Sequence, residues 1–133
     1  MSEREKLVKV DAGVERLVHH VIGAAIRVHQ ALGPGLLESV YREAMKLELS
    51  AQGIPFEANK EIVISYRDQV IGRSYADLLV GGVLVVELKA IRCLGPAQMS
   101  QVLHYLHAGK YVLGLLLNFH EATLAKGIQR VIA

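Results

Sequence analysis

The stretch Ser74-Tyr-Ala-Asp-Leu-Leu-Val-Gly-Gly-Val-Leu-Val-Val-Glu-Leu-Lys89 places three charged residues, Asp77, Glu87 and Lys89, inside two runs that are otherwise apolar enough for a protein core. Burying a charge is costly unless it is paired or bound to a metal ion. Side chains alternate along a strand, so Glu87 and Lys89 project from one face and act on one small volume. Gly81-Gly82 marks a hairpin, and the loop length decides where Asp77 falls. A two-residue loop pairs Val80 with Val83 and Asp77 with Val86, leaving the two carboxylates on opposite faces. A three-residue loop pairs Val80 with Leu84 and therefore Asp77 with Glu87. A shared carboxylate site thus predicts an odd-length loop or a bulge, for which the glycines supply the permitted φ.

Two facing carboxylates make a hard, oxygen-rich site suited to Mg²⁺ or Mn²⁺, ions that keep several waters and complete their shell with substrate phosphate. A lysine beside them can hold an attacking water or offset charge developing on a phosphoryl oxygen. Spacing alone also allows a plainer reading: a Glu–Lys pair on a solvated face, with Asp77 at a strand end.

Working outward, residues Val14, Leu17, Val18, Val21, Ile22, Ala25 and Val28 recur at helical steps behind a capping Asp11, which predicts a helix ending near Gly33. Gly33-Pro34-Gly35 breaks it. A second helix follows, its apolar period running through Leu37, Val40, Tyr41, Ala44 and Leu47 and stopping at Gly53. From Ile54 the period becomes two, giving strands at Glu61–Tyr66, Val70–Val80 and Val83–Ile91 that form an antiparallel meander with turns at Arg67-Asp68-Gln69 and Gly81-Gly82. Pro96 opens a third helix with Met99, Val102, Leu103 and Leu106 as its stripe and Gly109 near its end. Tyr111 to Leu117 reads as a strand covered on both faces, and Ile128–Ile132 as a last strand.

With 133 residues, 52% hydrophobic and 21% charged, the chain has the material for one domain and a real core, which excludes a disordered, collagen-like or disulfide-scaffold protein. We expect residues 1–133 to form a single domain, with 1–10 a frayed start and 11–133 the folded unit. No stretch is apolar enough to span a bilayer, so no membrane partner is expected. One cysteine, Cys93, and no leader pattern point to a reducing cytoplasm. The net charge of +2 is uneven: residues 1–87 carry ten Lys/Arg against twelve Asp/Glu, and 88–133 carry five against one. Lys89, Arg92 and Lys110, with His104, His107 and His120, thus make a surface for a phosphate backbone, or simply a mixed surface that has drifted. The pairs His19-His20 and His104/His107, and His29, lack zinc spacing and read as surface histidines.

Asp77, nine intervening residues and Glu87-Leu-Lys89 resemble the core motif of the PD-(D/E)XK nuclease superfamily, and the order of helix, three strands, helix and strand resembles its αβββαβ core. More specifically, Gly35-Leu-Leu-Glu38-Ser-Val-Tyr41 is similar to the signature of the GxxExxY proteins, a bacterial family placed in that superfamily. The likeness continues through Ala97-Gln98, His104-Tyr105-Leu106 and Gly114-Leu-Leu-Leu-Asn118-Phe119. Ala76 stands where the superfamily's name has proline. The resemblance implies an α/β fold with a single restriction-endonuclease-like core, a central mixed sheet flanked by helices. It implies Asp77 and Glu87 as metal ligands, Lys89 as the catalytic lysine, and Glu38 and Gln98 as further members of the site. Gln101 and Tyr105 resemble the Gln-x-x-x-Tyr element of RecB-like nucleases and, with Tyr41, would support the site or contact nucleic acid. Glu38 in a first helical turn can alternatively serve the helix dipole and pair with Arg42 at i+4. The expected function is Mg²⁺- or Mn²⁺-dependent hydrolysis of nucleic-acid phosphodiesters. The alternatives are a catalytically silent nucleic-acid-binding or assembly module, or a metal-dependent hydrolase of a small phosphorylated molecule. The small size also leaves room for a homodimer.

Overall fold

The computed structural model describes residues 11–133, so the frayed start expected at 1–10 lies outside the described residues. Helix α1 (Ala12–Leu32) begins where Asp11 accepts from the Gly13 N–H at 2.6 Å and ends at Gly33, whose φ of 71° favours glycine. Helix α2 (Glu38–Ala51) follows the Gly-Pro-Gly turn. The turn is pinned by Tyr41, whose hydroxyl donates to the Gly33 carbonyl and accepts from the Leu36 N–H at 3.2 Å. Its ring stacks on Phe119 with centroids 4.6 Å apart.

Both aromatic residues are fully buried. Tyr41→Phe removes the two hydroxyl bonds and nothing else, so we expect a loss of about 1–2 kcal/mol in urea unfolding with the fold unchanged by circular dichroism.

The face of α2 that enters the core corrects the expected stripe. Tyr41, Met45 and Leu49 are buried, while Leu37, Val40 and Leu47 are exposed. The helix carries two apolar edges, and the one that holds the aromatic anchor turns inward.

The sheet runs β1 (Phe56–Tyr66), β2 (Gln69–Val80), β3 (Leu84–Lys89), β4 (Leu113–Asn118) and β5 (Ile128–Ile132), paired in chain order. All neighbours are antiparallel except β3 and β4, which are parallel. Helix α3 (Pro96–Gly109) makes the crossover that parallel pairing requires. The β1–β2 turn is tighter than expected: Tyr66 pairs with Gln69, and only Arg67 and Asp68 turn, with φ of 50° and 63°.

Helices α1 and α2 cover one face of the sheet, packing on Leu78, Val80, Leu84, Val86, Leu88 and the β4 leucines 113, 115 and 117. Helix α3 covers the other through Val102, Tyr105 and Leu106, against Ile62, Leu79, Val85 and Leu116. This is the α/β arrangement of a central mixed sheet flanked by helices that the sequence led us to expect. No helix among the described residues is long and apolar enough to cross a membrane.

Candidate functional site

The hairpin between β2 and β3 has the three-residue loop Gly81-Gly82-Val83: Val80 pairs with Leu84, Leu79 with Val85 and Leu78 with Val86. The next position along each strand sets Asp77 against Glu87. There the backbone ladder gives way to side chains. The Asp77 N–H donates to Glu87 Oε1 at 2.6 Å, and the Leu88 N–H donates to Asp77 Oδ2 at 2.8 Å. Each carboxylate thus takes a backbone donor from the other strand, which holds the two acids side by side. On the other side of β2, Asn59 falls between the pairs Ala58↔Leu78 and Lys60↔Ala76 and so opposite Asp77, with a left-handed φ of 51°. Asparagine is among the few residues that adopt this conformation readily. Alternation also breaks here, since Ala76 and Leu79 both pack on the α3 side while Leu78 and Val80 pack on the α1/α2 side.

Lys89 follows Glu87 on the same face, its Nζ 3.8 Å from Glu87 Oε2. From α2, Arg42 joins two acids: its Nε donates to Asp77 Oδ1 and its Nη2 to Glu38 Oε1, both at 3.0 Å. The i+4 pairing of Glu38 with Arg42 is therefore present, and the same guanidinium ties Glu38 to the site.

Glu87 is 3% exposed. Burial, and then the neighbouring Asp77 charge, push its carboxyl up from 4.5 to about 7, against the pull of the Asp77 N–H and Lys89; Glu38 adds a smaller upward push. On α3, burial raises the Tyr105 hydroxyl to about 12, with the charges of Glu87 and Asp77 adding to it and a hydrogen bond from Gln101 opposing. Tyr105 thus lies within reach of the acids' charge, and Gln101 bonds to Tyr105.

Two other residues singled out in the sequence are placed elsewhere. Gln98 turns its Oε1 back onto the Gly95 N–H at 2.8 Å, capping α3. Tyr41 is buried under the Gly-Pro-Gly turn, a position that fits support and leaves it no surface for nucleic acid.

The basic half divides. Lys89 ends the parallel strand β3, and Arg92 and His120 follow the C-terminal ends of β3 and β4, whereas Lys110 precedes β4 at the opposite end of the sheet. Of the histidines expected at the surface, His29 is instead buried, its Nε2 2.8 Å from the Glu121 carbonyl; His19, His20, His104 and His107 are exposed.

The sequence reading gave three residues less than their structural role. Arg42 was visible only as a partner for Glu38; Asn59 gave no signal in the sequence. Asn118 entered only as part of the family likeness; it sits at the end of an apolar strand, a buried amide that bonds both backbone groups of Ile91 and the His120 N–H.

Among the described residues, no three histidines, cysteines or acids gather as a ready-made metal cage. Asp77 and Glu87 nevertheless fit a divalent ion of the Mg²⁺ type, which is commonly held by one or two carboxylates and water. Packing them together against burial leaves negative charge that such an ion would neutralise, as the raised Glu87 carboxyl records.

No curated protein and no solved structure matches the chain. The family model of the PD-(D/E)XK nuclease superfamily matches residues 15–131, a span that runs from α1 to β5 and takes in every residue of the carboxylate cluster. With nearly all of its length covered by that model, the chain belongs to the PD-(D/E)XK nuclease superfamily.

Proposed function

We propose that this chain is a nuclease of the GxxExxY type, a single domain over residues 11–133 that hydrolyses nucleic-acid phosphodiesters with Mg²⁺ or Mn²⁺. The observation that carries the reading is the reciprocal clamp between Asp77 and Glu87 with Lys89 beside it. Asp77 and Glu87 would hold the ion; when bound, it would polarise a phosphoryl oxygen and make a coordinated water more acidic. Lys89, kept near Glu87, positions water and offsets charge that develops on the phosphate. Glu38 acts through Arg42, which orients Asp77. Tyr105 and Gln101 close the site from α3, Gln98 fixes the start of that helix, and Tyr41 supports α2 from beneath. Lys89, Arg92 and His120, in a segment without an acid from Leu88 to His120, supply the electrostatic attraction for a polynucleotide. The exposed free thiol of Cys93 fits a reducing compartment such as the cytoplasm.

A binding module without turnover is the second reading, favoured by one observation: Arg42 already satisfies Asp77. Labelled single- and double-stranded DNA and RNA, incubated with the protein in Mg²⁺ and in Mn²⁺, separate the two. Cleavage that disappears in folded Asp77→Ala and Lys89→Ala variants is the expected result. Retention of nucleic-acid binding with no cleavage in either metal would establish the second reading in its place. Turnover of a nucleotide with every polynucleotide left intact would point instead to a small phosphorylated substrate.

A further inference from the structure

Among the described residues, the outer edge of α2 is left without a partner. Leu37, Val40, Ala44, Leu47 and Ala51 recur at alternating steps of three and four residues, the spacing of a coiled-coil seam. Leu37 and Leu47 are each 74% exposed and Val40 41%. Leu32 at the end of α1, 41% exposed, lines the same groove as Ala44, Leu47 and Ala51, and Leu36 in the turn is 41% exposed as well. The charges at its rim are already satisfied: Arg27 pairs with Glu48 at 2.7 Å and Lys46 with Glu43 at 2.9 Å. An apolar surface with a neutralised rim has nothing to offer a phosphate backbone.

We propose that this face is the interface of a homodimer, with α2 of one copy packed antiparallel on α2 of another. Two features select a second copy as the occupant. The first is self-complementarity, which a two-fold interface requires. A two-fold axis passing between Met45 and Lys46 sets Leu47 against the second copy's Ala44 and Val40 against its Ala51, so in these layers a large side chain meets a small one. The second is area. The five exposed apolar residues present on the order of 500 Å², so pairing removes roughly 1,000 Å² from water, the lower limit for a specific interface. By the helical period Glu38 and Arg42 leave α2 on the other flank, so dimerisation leaves the carboxylate site open and gives the assembly two of them. The inference does not depend on the nuclease reading.

Light scattering on the eluting full-length protein at ~100 µM, together with sedimentation, tests it. The expected mass is twice 14.6 kDa. Leu47→Lys, at a position too exposed to matter for the monomer's core, should weaken association at least about tenfold with an unchanged circular dichroism spectrum. Ser39→Lys, on the far side of the helix, should leave the dimer intact. A native protein that is monomeric at this concentration overturns the proposal and leaves the face to a partner of different sequence; so does a dimer that Leu47→Lys does not weaken.

Discussion

Glu87→Gln is expected to give a protein that neither retains a divalent ion at this site nor cleaves, yet is harder to unfold than the native chain above pH 7. Glu87 titrates near 4.5 when unfolded and near 7 in the fold, because burial and the Asp77 charge oppose its ionisation. Between those values the native state holds a proton that the unfolded chain has lost. Stability from this group is therefore full below about pH 4.5, falls as pH rises, and is gone above about pH 7, a difference on the order of 3 kcal/mol. Glutamine keeps the oxygen that accepts the Asp77 N–H and has no charge to bury, so its unfolding free energy lacks this slope. Urea titrations with a chelator present should coincide near pH 4.5 and separate progressively towards pH 8; curves that stay parallel would refute the account. Removing the charge also removes a metal ligand, and cleavage in Mg²⁺ or Mn²⁺ should fall by at least about a hundredfold. A substitution that stabilises the fold while abolishing the chemistry is the mark of a residue kept for function against the interest of folding.

How far the sequence led depended on whether a feature was local. The hairpin was legible because register is arithmetic: once Asp77 and Glu87 were required to share a site, an odd loop or a bulge was needed, and Gly81-Gly82-Val83 is the odd loop. The helices and strands followed from periodicity and breakers in the same way. The period of α2 was seen but its inward face was misread, because Leu37, Val40 and Leu47 form as regular a stripe as Tyr41, Met45 and Leu49. What turned the helix was a stacking partner, Phe119, that lies far along the chain. The reach of Arg42 from Glu38 to Asp77 belongs to the same class, as does the burial of His29 against the Glu121 carbonyl. These contacts depend on how separate elements meet, which no local spacing encodes. Gln98 shows the converse: a glutamine three residues after the Gly95 cap carries a local capping role that needs no site at all.

Asn118→Ala is expected to be among the most damaging single changes outside the hydrophobic core. This side chain ends β4 fully buried and joins the two loops that leave the parallel strands. Its carbonyl oxygen accepts from the Ile91 N–H at 3.1 Å and the His120 N–H at 3.2 Å, while its amide donates to the Ile91 carbonyl at 2.8 Å. The neighbouring Phe119 N–H donates to the Lys89 carbonyl at 2.8 Å, so the segment from Lys89 to Ile91 is held from two adjacent residues. Alanine leaves three backbone groups without partners, and the surroundings cannot close over the gap freely: Gly127 packs so tightly on the Asn118 backbone that it has no room even for a Cβ. A loss of about 3–5 kcal/mol in urea unfolding follows, together with weaker cleavage by the molecules that remain folded, because Lys89 loses the anchor behind it. Asn118→Asp separates the hydrogen bonds from the volume. It has the same shape and keeps the oxygen that accepts both N–H groups, but when ionised it turns its other oxygen towards the Ile91 carbonyl, where the native amide donates. It should therefore approach native stability in acid, where a protonated carboxyl can donate, and fall towards the alanine variant at pH 8. A pH-independent loss in Asn118→Asp would mean that packing rather than this donor holds the loop behind Lys89.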